Sequence, residues 1–216
     1  MNGSELSREI HRLALSLPRR DHSFPPKQLP SSGIYFFFEH GETAPLDGTV
    51  VDRIVRVGTH IMDGRLPKRI RQHFGNVNSL GGNKNGSVFR LHVGGSLLTS
   101  SNPSDPRLGT WIVQNGQSYA EVEESVSRTL RENFTFSCLR VESKADRLQL
   151  ERGLIATLAQ HPLAGASEAW RGRHAVPGEI RRTGLWNIQH CDAQLLSDEE
   201  LERLRNLARI QLMAAP

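Results

Sequence analysis

Apolar and polar positions along the chain alternate or cluster in ways that predict three β-strands. Residues 33 to about 39 and residues 50–57 form two apolar runs, and the segment between them, 41–48, is rich in turn residues. Apolar runs bounded by turn residues are typical of strands, and this pair predicts an antiparallel hairpin with a longer loop than usual. Residues 134–141 alternate well enough to predict a third strand.

Apolar residues at helical spacing predict several helices around these strands. The predicted helices cover residues 4–17, 63–74, 88–98, 119–133, 147–160 and 197–213. The third carries Gly94-Gly95, which predicts a break, and the last opens with Ser197 and Glu200 in the spacing of a capping box. Loops or irregular segments are predicted at 18–30, 75–86, 100–109 and 165–178. Together these elements predict a small α/β (α+β) fold with about three strands and several flanking helices.

Length, charge and cysteine content narrow the class of protein without deciding its function. At 216 residues the chain fits one domain with extensions or two small domains. Its net charge of +4, from 27 Lys+Arg against 23 Asp+Glu, permits nucleic-acid binding but does not establish it. Cys138 and Cys191 indicate neither a disulfide framework nor a cysteine zinc site, and the apolar run around Cys138 predicts a buried thiol.

Neither a secretory signal nor a membrane-spanning run is recognisable in the sequence. The charged residues Glu5, Arg8 and Glu9 stand where a signal peptide needs an apolar core. No apolar run approaches the roughly 20 residues that a membrane helix needs. We therefore expect a soluble, cytoplasmic protein with no membrane partner.

A tyrosine, an arginine and a histidine are the first candidates for chemistry. Tyr35 lies on the first predicted strand, where the commoner role of such a residue is a core aromatic, and its phenol needs a neighbouring group to act as a base. Arg69 and His73 are four residues apart on a predicted helix and share a face. That basic face is either merely solvated or a phosphate clamp, in which Arg69 forks onto the phosphate and His73 donates or relays a proton.

Glu151 is a candidate metal ligand near the start of a strongly apolar predicted helix. Its ordinary interpretation is an acidic residue facing the positive end of the helix dipole. The alternative is a lone carboxylate that holds a hard divalent cation, because Mg²⁺ often takes one or two protein carboxylates with waters and phosphate. The scattered histidines, His60 among them, do not have the spacing of a helical zinc motif.

Four short motifs occur in an order that resembles the GIY-YIG nuclease family. The motifs are Gly33-Ile34-Tyr35, Val57-Gly58, Leu66-Pro67-Lys68-Arg69 with His73 four residues on, and Leu150-Glu151 followed by Leu154-Ile155. The resemblance spans roughly residues 31–190. It implies a small domain with a three-stranded antiparallel sheet flanked by helices, and a metal-dependent endonuclease that hydrolyses DNA, with RNA the lesser expectation.

The resemblance also implies roles for individual residues. Tyr35, Arg69, His73 and Glu151 would be catalytic, and Glu151 would hold Mg²⁺ or Mn²⁺. The expected phosphate contacts are Arg56, Arg65, Lys68 and Arg71. The implied domains are 1–30 (helix and proline-rich connector), 31–190 (nuclease-like, with an insert at about 75–133) and 191–216 (C-terminal helix).

Two departures from the family pattern keep an alternative open. Arg56 stands where the second motif has a tyrosine, and the asparagine that often follows the family's glutamate is missing, with Asn187 as a distant replacement. The alternative is a catalytically inactive module of the same fold that binds nucleic acid or a protein partner. A third interpretation is an unrelated α/β protein in which Tyr35 is a core residue.

Overall fold

A computed structural model describes residues 1–214, and within them the chain forms eight α-helices and three β-strands. The helices are α1 (Gly3–Ser16), α2 (Leu66–Phe74), α3 (Val88–Ser101), α4 (Leu108–Trp111), α5 (Ala120–Asn133), α6 (Lys144–Gln160), α7 (Gly178–Thr183) and α8 (Asp198–Met213). The strands are β1 (Gly33–Leu46), β2 (Thr49–Gly58) and β3 (Phe134–Arg140). They form one antiparallel sheet in the order β2-β1-β3, so the predicted mixed fold with a three-stranded sheet is confirmed. None of the helices in residues 1–214 has the length and apolar character needed to cross a membrane.

The first part of the central strand β1, residues 33–38, is buried on both faces, which explains its apolar sequence. Side chains of a strand alternate between the two faces of a sheet. Ile34, Phe36 and Phe38 pack into one hydrophobic cluster, whereas Tyr35 and Phe37 pack into the other. Each cluster is covered by its own set of helices, so the sheet is the middle layer of the molecule.

Helices α1, α6 and α8 cover the Ile34 face of the sheet. Their apolar side chains, including Ile10, Leu154 and Leu204, form one cluster with the strands. The predicted capping box of α8 is confirmed, because the Ser197 hydroxyl accepts from the Glu200 N–H and the Glu200 carboxylate accepts from the Ser197 N–H. The N- and C-terminal helices therefore share a core with the sheet.

Helices α2, α3 and α5 and the segment 170–186 cover the Tyr35 face. A buried ion pair joins two of these helices, since Arg90 of α3 donates to the Glu123 carboxylate of α5. Glu39, at the edge of the same face, accepts from the indole N–H groups of Trp170 and Trp186 at 3.0 Å each. The segment predicted as an insert, about 75–133, thus supplies much of this layer, while its assignment as an insert stays a prediction.

The hairpin between β1 and β2 differs from its prediction. Strand β1 runs on to Leu46, and Asp47-Gly48 alone forms the turn, with φ values of 52° and 78°. Positive φ at both positions is what a tight two-residue hairpin turn requires. Of the turn-like residues, 43–46 pair with residues 49–52 of β2, whereas residues 41 and 42 lie in the irregular stretch between Phe38 and Thr43, where the register shifts.

The predicted break in α3 is wrong, and packing explains why. The helix runs unbroken from Val88 to Ser101 through Gly94 and Gly95. A Cβ on Gly94 would lie 2.3 Å from the Trp111 ring, so the glycine is there to admit the indole. Other elements differ from prediction too: α2 begins at Leu66 rather than at Asp63-Gly64, and α6 begins three residues early behind its cap Ser143. The short helix α7 lies just after the predicted irregular segment 165–178, where no helix is predicted.

Candidate active site

Tyr35 lies across a glycine of the neighbouring strand. In the register of the sheet, Tyr35 of β1 is opposite Gly58, the last residue of β2. A Cβ built on Gly58 would lie 2.2 Å from the Tyr35 hydroxyl oxygen, far inside van der Waals contact. The phenol can occupy this position only because residue 58 has no side chain.

The Tyr35 hydroxyl begins a chain of hydrogen bonds that joins three elements. It lies 2.9 Å from Nε2 of His73, which is fully buried near the end of α2. Nδ1 of the same ring lies 2.8 Å from the hydroxyl of Ser87, the residue that caps α3. The Ser87 oxygen also accepts from the Arg90 N–H at 3.2 Å.

The buried serine decides which nitrogen of His73 carries the proton. Ser87 is 1% exposed, and its oxygen already accepts one hydrogen bond, so its own O–H needs an acceptor. Nδ1 of His73 is that acceptor, which places the ring proton on Nε2. We therefore infer that the Nε2–H group of His73 donates a hydrogen bond to the hydroxyl oxygen of Tyr35.

The charges around His73 keep its ring neutral. Burial lowers the pKa of His73 well below its ordinary value, and the positive charges of Arg69, Arg56 and Arg90 lower it further. A second proton on this ring would be both buried and surrounded by cations. His73 is thus a hydrogen-bonding group of fixed tautomer rather than a cation.

Glu151 of α6 reaches the same end of β2. Its Oε1 accepts from the backbone N–H of Thr59 at 3.0 Å, one residue beyond Gly58. Among residues 1–214 the second carboxylate oxygen has no hydrogen-bond partner. Burial raises the pKa of Glu151, while Arg56, the Thr59 N–H and Arg69 act against that rise.

Arg69 is the fourth of the residues predicted to be catalytic. Its guanidinium donates to the carbonyl of Gly86 at 2.8 Å, which ties α2 to the glycine-rich segment before α3. Its charge acts on the pKa of both His73 and Glu151. The structure therefore brings Tyr35, Arg69, His73 and Glu151 together around the Gly58 end of β2.

Comparison with known families decides the affiliation of the chain. A family model described as a GIY-YIG domain matches residues 19–212. The chain belongs to the GIY-YIG family. Searches of curated proteins and of solved structures return no match. The family is of nuclease type, and the match extends on both sides of the motifs, into the connector before β1 and through most of α8.

Arg56, at the position of the family's second tyrosine, lies inside the protein. It is 7% exposed, donates to the carbonyl of Trp186, and stacks 4.9 Å from the centre of the Phe89 ring. Burial lowers the pKa of Arg56, and the nearby Tyr35 acts in the opposite direction. This placement differs from the predicted phosphate contact, because a guanidinium that donates to a buried carbonyl faces protein rather than solvent.

The other three predicted phosphate contacts lie on the outer side of α2. Arg65 and Lys68 are exposed, and Arg71 is half-buried with its guanidinium 5.7 Å from the centre of the Phe24 ring. Lys68 and Arg71 line a groove of about 510 Å³ between α2 and the segment 75–86. These side chains remain available to a ligand outside the protein.

Asn187 does not replace the missing family asparagine as a free side chain. Its amide oxygen accepts from the Val57 N–H at 3.1 Å, and its amide nitrogen donates to the Val57 carbonyl at 2.9 Å. Both halves of the amide are therefore engaged by the backbone of β2.

The residues present suit a single hard cation with few protein ligands. Within the described part of the chain, no three His, Cys, Asp or Glu side chains are grouped to hold a metal ion. At this end of β2, Glu151 offers one carboxylate oxygen that does not bond to Thr59. One carboxylate with waters and phosphate is a usual arrangement for Mg²⁺, and GIY-YIG nucleases typically use divalent metals.

Sequence reasoning missed Ser87 and Thr59 as members of the site. Ser87 directly precedes the apolar residues of α3, which is the position of a helix cap, so the sequence does signal its local role. Its contact with His73 and the Thr59 contact with Glu151 join residues far apart in the chain. No local pattern carries such information.

Proposed function

We propose that this protein is a metal-dependent endonuclease that hydrolyses phosphodiester bonds of DNA. The observation that carries the proposal is the meeting of the Tyr35–His73 pair and Glu151 at the Gly58-Thr59 end of β2. A hydrolase of this kind needs a base, a charge stabiliser and a cation ligand within reach of one phosphate. Membership of a nuclease-type family supports the same activity.

Tyr35 is the base in this proposal. Nε2–H of His73 donates to the phenol oxygen and stabilises it as a phenolate. The phenolate takes a proton from the attacking water, whose oxygen bonds to phosphorus as the bond to the leaving ester oxygen breaks. The leaving oxygen receives its proton from solvent. His73 stays neutral throughout, in accordance with its strongly lowered pKa.

Arg69 and Glu151 have the role of stabilising the negative charge on the phosphate. The half-buried guanidinium of Arg69 donates to the phosphate oxygens, where charge accumulates in the transition state. Glu151 would hold a divalent cation, Mg²⁺ or Mn²⁺, through the carboxylate oxygen that does not bond to Thr59, and that cation would supply positive charge at the phosphate and at the leaving oxygen.

The basic residues on the outer side of α2 and at its N-terminal cap bind the substrate. Arg65, Lys68 and Arg71 contact phosphates on either side of the scissile one, and such contacts position a nucleic acid without reading its sequence. DNA is proposed over RNA on the family resemblance, so both are included in the test.

The test is nicking of supercoiled plasmid with Mg²⁺ or Mn²⁺. Glu151→Gln keeps an oxygen for the Thr59 N–H but removes the charge, and Arg69→Ala removes the guanidinium. Glu124→Gln and Arg128→Ala change the same residue types on the exposed face of α5 and serve as matched controls. We expect metal-dependent nicking by the wild type and both controls, and its loss in the two site variants with folding retained.

Two outcomes would contradict the proposal. Cleavage that survives Glu151→Gln would mean that the metal ligand is misassigned. A folded wild type that cuts neither duplex, single-stranded nor branched DNA, nor RNA, would favour the catalytically inactive module.

A further inference from the structure

Two large apolar side chains near the candidate active site are exposed to solvent. Ile61 and Met62 are adjacent in the connection between β2 and α2, residues 59–65, and are 67% and 64% exposed. Exposed apolar residues are ordinary when single and scattered. Two neighbours of this size on one short connection form a patch, and such patches mark contact sites.

The backbone that carries the pair is held by a buried histidine. Nε2 of His60 accepts from the Gly33 N–H at 3.2 Å, so the ring proton is on Nδ1, which donates to the Met62 carbonyl at 2.6 Å. His60 is 5% exposed, and its ring thus links the start of β1 to the residue at the tip of the connection.

The far end of the connection is held as well. The Gly64 N–H donates to the Ser32 hydroxyl at 3.0 Å, and the Asp63 carboxylate accepts from the fully buried Arg147 of α6. The Leu66 N–H, at the start of α2, donates to the Ser31 carbonyl at 3.0 Å. A ligand that covers Ile61 and Met62 therefore meets a pre-organised segment and orders little on binding.

Both ends of the connection belong to the site. Thr59 donates its N–H to Glu151 at one end, and α2 at the other end carries Arg69. The exposed cations Arg65 and Lys68 lie three and six residues after Met62, beyond Asp63, whose carboxylate is paired with Arg147. The apolar pair thus lies in the chain between a residue that contacts Glu151 and the helix that carries Arg69.

We propose that Ile61 and Met62 form an apolar wedge that packs against the bases of a nucleic-acid duplex next to the scissile phosphate. The inference rests on the proposed function, since it deepens the substrate contacts of the same site. Aliphatic and methionine side chains that unstack base steps are a known way of binding a duplex, and here they would open the backbone at the bond to be cut. Flanking cations fit a phosphate backbone, and the position of the pair next to the proposed phosphodiester site favours a nucleic acid over a purely apolar partner.

The test compares two double variants of identical chemistry. Ile61→Ala with Met62→Ala removes the wedge, and Ile210→Ala with Met213→Ala removes an equally exposed pair on α8 (62% and 79%). Both are made in the full-length Glu151→Gln protein, which is proposed to bind without cutting. The probes are DNA duplexes with 2-aminopurine at several positions, whose fluorescence rises when the base is unstacked, and the dissociation constant is measured in parallel.

We expect the α8 control to bind and to raise the fluorescence like its parent. Loss of the wedge should abolish the fluorescence rise and weaken duplex binding roughly 10- to 100-fold, the equivalent of losing the burial of about one large apolar side chain. In the Glu151-containing protein, the same loss should slow cleavage of duplex more than cleavage of single strands.

The outcomes separate this inference from the proposed function. An unchanged fluorescence rise and unchanged affinity in the wedge variant would overturn the wedge, even if the wild type cleaves DNA. A wild type that binds and unstacks duplex without cutting would overturn the endonuclease and leave the wedge standing. A folded protein that binds no nucleic acid would overturn both.

Discussion

Gly58→Ala tests the packing that places the phenol. A Cβ at residue 58 would lie 2.2 Å from the Tyr35 oxygen and 2.4 Å from the ring carbon that bears it. Ordinary contact begins near 3.4 Å, so the hydroxyl must retreat by roughly 1.2 Å, the difference between those distances. That retreat breaks the 2.9 Å hydrogen bond to His73, because the buried imidazole is held by Ser87 on its other side.

The displacement has a cost in rate and in stability. A misplacement of about 1 Å at a reacting group costs about 100-fold in rate. Overpacking a well-filled interior costs about 1–3 kcal/mol of unfolding free energy, so the variant should remain folded at ambient temperature if the wild type has ordinary stability. We therefore expect Gly58→Ala to be a folded protein with about 100-fold slower cleavage.

The assay is single-turnover cleavage of plasmid under saturating metal, with urea unfolding measured beside it. Gly165→Ala is the matched control, because a Cβ there meets no atom within 4 Å and the residue lies on an exposed loop. It should cleave like the wild type. If Gly58→Ala cleaved at the wild-type rate with unchanged stability, Tyr35 would not depend on this contact and its proposed role as base would fail.

Further predictions concern buried polar groups. Ser87→Ala should cost about 1 kcal/mol as a lost helix cap and slow cleavage about tenfold, whereas Ser143→Ala, another lost cap, should affect stability alone. Glu123→Ala leaves Arg90 buried without its partner and should cost about 3–5 kcal/mol in urea unfolding; a loss under 1 kcal/mol would contradict this. Burial lowers the pKa of His11 from 6.5 to about 4. The unfolded chain therefore takes up this proton first, and stability falls as pH drops from 6.5 towards 4, by on the order of 3 kcal/mol. His11→Gln, which keeps an acceptor for the backbone, should show a smaller fall; an identical pH profile would refute the assignment.

Elements with a strong local signal could be predicted from the sequence. The basic run 66–74 predicts helix α2 and its end at Phe74, although the helix begins at Leu66 rather than at the predicted Asp63-Gly64, and the capping box predicts the start of α8. The apolar run at residues 33–38 likewise predicts the first part of β1. The family motifs placed Tyr35, Arg69, His73 and Glu151, and the fold brings these four side chains to one end of β2.

Features that depend on distant residues could not be predicted in this way. Glycines in α3 usually weaken a helix, and only the indole of Trp111 explains why Gly94 stands there. The bulge in β1 likewise depends on pairing with β2. The tautomer of His73 follows from Ser87 and Arg90, and neither residue lies in a family motif.

Arg56 and Asn187 share a structural role at strand β2. Strand β2 is an edge of the sheet, and an open edge exposes unpaired backbone groups. Here the Trp186 N–H donates to the Val55 carbonyl at 2.7 Å, and the Asn187 amide bonds both backbone groups of Val57. Arg56, between these two residues of β2, donates to the Trp186 carbonyl. The hydrogen bonds of Arg56 and Asn187 therefore hold the segment around residue 186 against the open edge of β2. Because β2 ends at Gly58, these contacts fix the strand end on which the candidate site is built. Gly58 is opposite Tyr35, so Arg56 supports the position of Tyr35 although it replaces the second motif's tyrosine.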